Sequence, residues 1–144
     1  AMRFAVKVSA AKAAVGRWMS SLWPTLSLPA GLPASHVCRD PAIVRAYESD
    51  PLVHEVATSR WYTEALSAQE EAFQTAGQIT TPTLLLRPLA DKVIDPASQA
   101  ELFAALGSEE KRKIDYEGYY HEVLNEPERE GVYRDIMSWL NAIL

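Results

Sequence analysis

The segment that most restricts the fold is residues 78–117. Thr81-Pro82-Thr83-Leu84-Leu85-Leu86 is a short, bounded apolar run, with Pro82 at its start, where a missing N–H matters least. Asp95-Pro96 caps a helix that runs to Gly107 with Leu102, Phe103 and Leu106 inward. Lys111 to Glu117 then alternates Arg112, Ile114 and Tyr116 with Lys113 and Asp115, a charged strand suited to a sheet edge. A strand, a helix and a strand within about 35 residues form a right-handed parallel crossover. Asn125-Glu126-Pro127-Glu128 has the spacing of a capping box. The helix after it is expected to bury Val132, Tyr133, Ile136, Met137, Leu140 and Ile143. Residues 78–144 are therefore an α/β unit, strand–helix–strand–helix with parallel strands. Ligand chemistry in such sheets gathers at the carboxyl ends of the strands, here Arg87–Asp95 and Gly118–Asn125.

Residues 1–77 have a different texture: helical patterns broken by proline-rich turns. Val15, Trp18, Met19, Leu22 and Leu26 recur at helical spacing over residues 9–23, with Ser9 as the cap and Pro24 as the stop. Asp40-Pro41 opens a short helix whose apolar face uses Ile43, Val44 and Tyr47. Thr58 caps a longer helix over 59–76, with Trp61, Tyr62, Ala65, Leu66, Ala72, Phe73 and Ala76 in one stripe and Gly77 at its end. This predicts two regions, a helical one over 1–77 and the α/β unit over 78–144.

Charge follows the same division. Residues 1–39 hold five basic and no acidic residues, a balance of +5, and residues 40–144 carry −10. The acidic majority argues against a nucleic-acid partner. The basic, Trp-containing start suits an anionic or lipid surface. No apolar run approaches the ~18 residues of a membrane span, and no secretory leader pattern opens the chain. Ala1 before Met2 reads as a cloning remnant. The single cysteine, Cys38, allows neither an internal disulfide nor a cysteine metal site, so a reducing, cytoplasmic location is expected, with room for peripheral contact with a membrane.

Two residues in the strand-end loops have the chemistry of an acid–base pair. Asp91 follows the first strand and His121 the second, and parallel neighbours bring such loops side by side. A buried carboxylate fixes one imidazole tautomer and stabilises its charged form. Taken alone, a loop Asp is more often a turn or cap residue, and a His beside Glu122 is more often solvated. His36, His54 and His121 are too scattered for a metal, Cys38 is more often structural than nucleophilic, and no glycine-rich phosphate loop exists, so no metal or cofactor is expected. Glu126, Glu128 and Glu130 read as solvated or helix-start charges.

Pro82-Thr83-Leu84-Leu85-Leu86 with Ala90-Asp91-Lys92-Val93-Ile94-Asp95-Pro96 resembles the strand and acid loop of the monoacylglycerol lipase group. That group lies within the α/β-hydrolases, alongside lysophospholipase-like and serine-aminopeptidase-like relatives. Tyr116-Glu117-Gly118-Tyr119-Tyr120-His121-Glu122 with Asn125-Glu126-Pro127-Glu128-Arg129 resembles its histidine loop and final helix. Arg39-Asp40-Pro41, Tyr47, Asp50-Pro51-Leu52-Val53-His54 and Arg60-Trp61 resemble its cap region. The resemblance implies a truncated α/β-hydrolase fold, the C-terminal half only, with a helical lid over a lipid-binding cleft. It implies Asp91 as triad acid and His121 as triad base of a serine esterase acting on monoacylglycerol- or lysophospholipid-type esters. Lid residues Trp18, Met19, Leu22 and Trp23 are either the packed inside of a helix pair or lipid-facing.

Two departures carry expectations of their own. No serine, from Ser9 to Ser138, lies in Gly-x-Ser-x-Gly, so the chain holds no recognisable nucleophile and is expected to be inactive alone. Arg87-Pro88-Leu89 stands where the family carries a small pair, so Pro88 can move Asp91 off its place and Arg87 can pair with a nearby carboxylate. The Leu84–Leu86 strand would lack one neighbour. Three remedies are expected: a replacement strand from Arg3-Phe4-Ala5-Val6-Lys7-Val8, edge-to-edge pairing in a homodimer, or pairing with a complementing N-terminal half. The alternative function is a non-catalytic lipid-surface or protein-interaction module derived from a hydrolase.

Overall fold

The computed structural model describes residues 2–5 and 10–144. Helix α1 (Ala10–Leu22) stops just before Pro24, and its expected cap, Ser9, lies outside the described residues. Strand β1 (Ser27–Pro29) pairs antiparallel with β2 (Val56–Thr58), Ser27 opposite Thr58. Between them lie a 3-10 turn, Ala34–His36, and helix α2 (Pro41–Ser49). The Asp40 carboxylate caps α2 by accepting from the Ala42 N–H at 2.8 Å, with Pro41 at the first helical position. Helix α3 (Ser59–Thr75) starts in the same way, the Thr58 hydroxyl accepting from the Trp61 N–H at 3.1 Å. The Ser59 hydroxyl donates to the Trp23 carbonyl at 2.7 Å, and those of Ser20 and Thr63 lie 2.8 Å apart. These bonds seat α1 along α3.

The second half is strand β3 (Thr83–Pro88), helix α4 (Pro96–Ala105), strand β4 (Lys111–Tyr116) and helix α5 (Arg129–Ile143). β3 and β4 are parallel, with Thr83 opposite Lys111 and Pro88 opposite Tyr116. The crossover expected from the sequence is formed, with the first strand two residues further along. Asp95 caps α4 through the Ala97 N–H at 3.0 Å. Tyr116, Val123 and fully buried Val132 form the core of this half, with Leu86, Ile114, Tyr119 and Ile136 packed against them. No helix among the described residues is long and apolar enough to cross a membrane.

Several details differ from expectation. The capping box is not formed: α5 begins at Arg129, and the Asn125 amide donates to Glu122 at 2.6 Å instead. Tyr133, Met137 and Ile143 of α5 are exposed, as is Trp61 of α3, because no described element covers those faces. The β1–β2 pairing has no signal in the sequence, since three-residue strands carry too little period to read. The replacement strand is not seen in its described part. Phe4 bridges antiparallel to Ile94, with the Ala5 N–H on the Val93 carbonyl at 2.9 Å, so Arg3–Ala5 lies on the acid loop and not on the edge of β3. An ion pair from Arg3 to Glu101 and the stacking of its guanidinium 4.1 Å from the Phe73 ring centroid hold it there. Val6–Val8, including basic Lys7, lie outside the described residues.

One close approach joins the halves. A Cβ on Gly107 would sit 2.0 Å from the Gly77 carbonyl oxygen. Gly107→Ala should therefore lower stability by about 1–3 kcal/mol in urea unfolding. Gly131→Ala, on α5 with only the end of Arg134 nearby at 3.9 Å, should raise it by about 0.5–1 kcal/mol.

Candidate active site

The acid loop begins where β3 ends, and backbone bonds carry its alignment past the strand. The Leu89 N–H donates to the Tyr116 carbonyl at 3.0 Å and the Ala90 N–H to the Tyr119 carbonyl at 3.1 Å. The loop then turns on Asp91, whose Oδ1 accepts from the Val93 N–H at 2.8 Å and the Ile94 N–H at 3.0 Å. Its Oδ2 accepts from the Gln99 amide at 3.0 Å, reached from the first turn of α4. The Asp91 side chain is 1% exposed, yet each oxygen has its partners. Pro88 closes β3 as a buried residue, and Arg87 makes a two-bond pair with Asp115, directly opposite on β4, at 2.8 and 2.6 Å.

The histidine loop starts from a turn at Glu117-Gly118, where Gly118 takes φ +74°, a left-handed backbone that favours glycine. His121 Nδ1 then lies 3.1 Å from Asp91 Oδ2. An ionised carboxylate only accepts, so this contact places the proton on Nδ1 and leaves Nε2 as the basic nitrogen. Burial alone would push the Asp91 carboxyl up; the bond from His121 and those from the Ile94 and Val93 N–H groups outweigh it and hold the carboxyl low. The bond to Asp91 raises His121 above its ordinary 6.5, against the opposite pull of burial.

The other candidates separate from this pair. His36 sits in the 3-10 turn and His54 is exposed in the loop before β2. The Cys38 thiol is buried, donates to the Asn125 carbonyl at 3.1 Å and is pushed up by burial, so it is held as a thiol. No serine hydroxyl bonds the His121 ring among the described residues. Trp18, Leu22 and Trp23 are exposed, at 63%, 64% and 57%, while Met19 is half-buried. Glu126, read from the sequence as a solvated or helix-start charge, is fully buried beside the histidine loop. Its partner Arg39 lies 87 residues away, so no local pattern reveals it.

A family model described as serine aminopeptidase, S33 matches residues 1–128. A monoacylglycerol lipase of Mycolicibacterium smegmatis is 34% identical over 92% of this chain and 48% of its own length. Phospholipase YtpA of Bacillus subtilis is 30% identical over 90% of this chain and 50% of its own. The crystal structure of Paleococcus ferrophilus monoacylglycerol lipase matches with a TM-score of 0.85 at 32% identity, covering 93% of this chain and 52% of that one. The chain thus spans about half the length of the curated relatives it matches.

The two pKa shifts have opposite senses in stability. His121, raised in the fold, contributes fully below pH 6.5 and loses its contribution as pH rises through its raised value. Asp91, lowered in the fold, contributes above its ordinary 3.8 and loses its contribution as pH falls through its lowered value. Asp91→Asn should bring the His121 midpoint down, read from its ring resonances by NMR.

Proposed function

Since the chain belongs to the serine aminopeptidase S33 family and has an α/β-hydrolase fold, we propose that it carries the acid and base of a serine ester hydrolase. The observation that carries this reading is the 3.1 Å contact between buried Asp91 and His121 in two adjacent strand-end loops. With Nδ1–H on Asp91, Nε2 takes the proton of an attacking serine hydroxyl and returns it to the leaving alcohol, and Asp91 stabilises the imidazolium in between. The relatives' lipase and phospholipase names support monoacylglycerol- or lysophospholipid-type esters as substrates.

The nucleophile and oxyanion donors come, in this reading, from polypeptide outside these 144 residues. The open side of β3 supports that: its residues Thr83–Arg87 are only half-buried, and β4 is its one strand partner among the described residues. Pairing there, with the complementing part of a hydrolase or with a second copy, would cover Leu84–Leu86. Residues 1–77 act as the lid. The alternative, a non-catalytic module on a lipid surface, is favoured by one observation, the outward Trp18, Leu22 and Trp23 of the lid.

The 144-residue chain alone should take no fluorophosphonate label on any serine; an adduct mapped to one by mass spectrometry contradicts the reading. In the alternative, the chain should sediment with anionic vesicles at low salt, and Trp18→Ala with Trp23→Ala should reduce the bound fraction several-fold.

A further inference from the structure

The backbone on both sides of His121 is held from the lid. The Glu122 N–H donates to the Val37 carbonyl at 2.8 Å. The Tyr120 N–H donates to Glu126 Oε1 at 2.7 Å, and the other oxygen of that carboxylate accepts from Arg39 Nε at 2.6 Å. Arg39 also pairs with Glu128, and its guanidinium lies 5.0 Å from the Tyr119 ring centroid. Both anchors therefore end in one segment of the lid, Val37–Arg39, and Cys38 between them bonds the Asn125 carbonyl at 3.1 Å.

Glu126 is 0% exposed, and a carboxylate withdrawn from water persists only when paired and hydrogen-bonded. It caps no helix, since α5 starts at Arg129 and its first turn takes no side-chain bond from Glu128. Its carboxylate is directed at the residue before His121 and at a cation from the lid. Resting on the reading of His121 as the base, we propose that Arg39 and Glu126 are a positioning pair, through which the lid sets the His121 ring against Asp91. Neither touches the reacting atoms. Their effect passes through the Tyr120 peptide.

The pair is tested on the His121 ring by NMR titration of the 144-residue chain. The groups that act on His121 directly are Asp91 and Glu122, and Lys92 lies over the neighbouring Tyr120 ring at 3.9 Å. Removing a cation by electrostatics alone would raise the imidazole midpoint. Loss of positioning does the reverse, because the ring moves off Asp91. Arg39→Met should therefore lower the His121 midpoint toward that of Asp91→Asn, and Arg39→Lys should restore it. Glu126→Gln, which leaves no buried charge unpaired and so protects the fold, should also lower it, a direction that loss of the carboxylate charge alone shares, so Arg39→Met is the variant that separates positioning from electrostatics. Unchanged circular dichroism and tryptophan indole signals identify the folded variants. A folded Arg39→Met or Glu126→Gln whose midpoint stays or rises overturns the proposal. If Asp91→Asn lowers the midpoint while those two variants do not, only the positioning role fails. If Asp91→Asn leaves it unmoved, the acid–base reading fails as well.

Discussion

The Asp91 carboxylate is almost wholly withdrawn from water, and the second half of the chain is arranged as its set of partners. Two backbone N–H groups, the Gln99 amide and the His121 ring meet its two oxygens. Each partner requires a different part of the fold: the turn after β3, the first turn of α4, and the loop after β4. A buried carboxylate missing any of them would shift toward its neutral form or open the loop to water. The parallel pairing of β3 with β4 brings these parts together, because it puts both loops at one end of the sheet. The segment Arg3–Ala5 adds a layer by bridging Ile94, next to the turn that Asp91 closes.

The histidine loop is supported from the opposite side. Where Asp91 is served by its own α/β unit, the Tyr120 and Glu122 peptides are served by residues 37–39 and by Glu126. Residues 37–39 share hydrogen bonds with the loop that carries His121, and Arg39 links two carboxylates of the region before α5. On and just after α1, Trp18, Leu22 and Trp23 are exposed.

Local chemistry made much of this legible. Asp40-Pro41, Thr58 and Asp95-Pro96 announce their helices because a cap acts within three residues of itself. The two strands were readable from a bounded apolar run and an alternating one, and their ends pointed to the loops of Asp91 and His121. What escaped depends on distant partners. Glu126 looks like a helix-start charge until Arg39, 87 residues earlier, folds against it. The three-residue strands β1 and β2 owe their existence to tertiary pairing. The apolar stripe of α5 predicted burial of Tyr133, Met137 and Ile143, and all three are exposed, because a stripe shows which face needs covering but not whether these 144 residues supply the cover.

In the proposed function, Asp91 and His121 are the acid and base of a hydrolase whose serine lies outside these 144 residues. The most direct test joins the chain to the segment that precedes the matched region in one of the lipase relatives and measures turnover of a short-chain monoacylglycerol. Esterase activity should appear and fall by at least about a thousandfold in His121→Ala of the folded fusion, as loss of a triad base does. A fusion that folds and turns over equally well with and without His121 would contradict it.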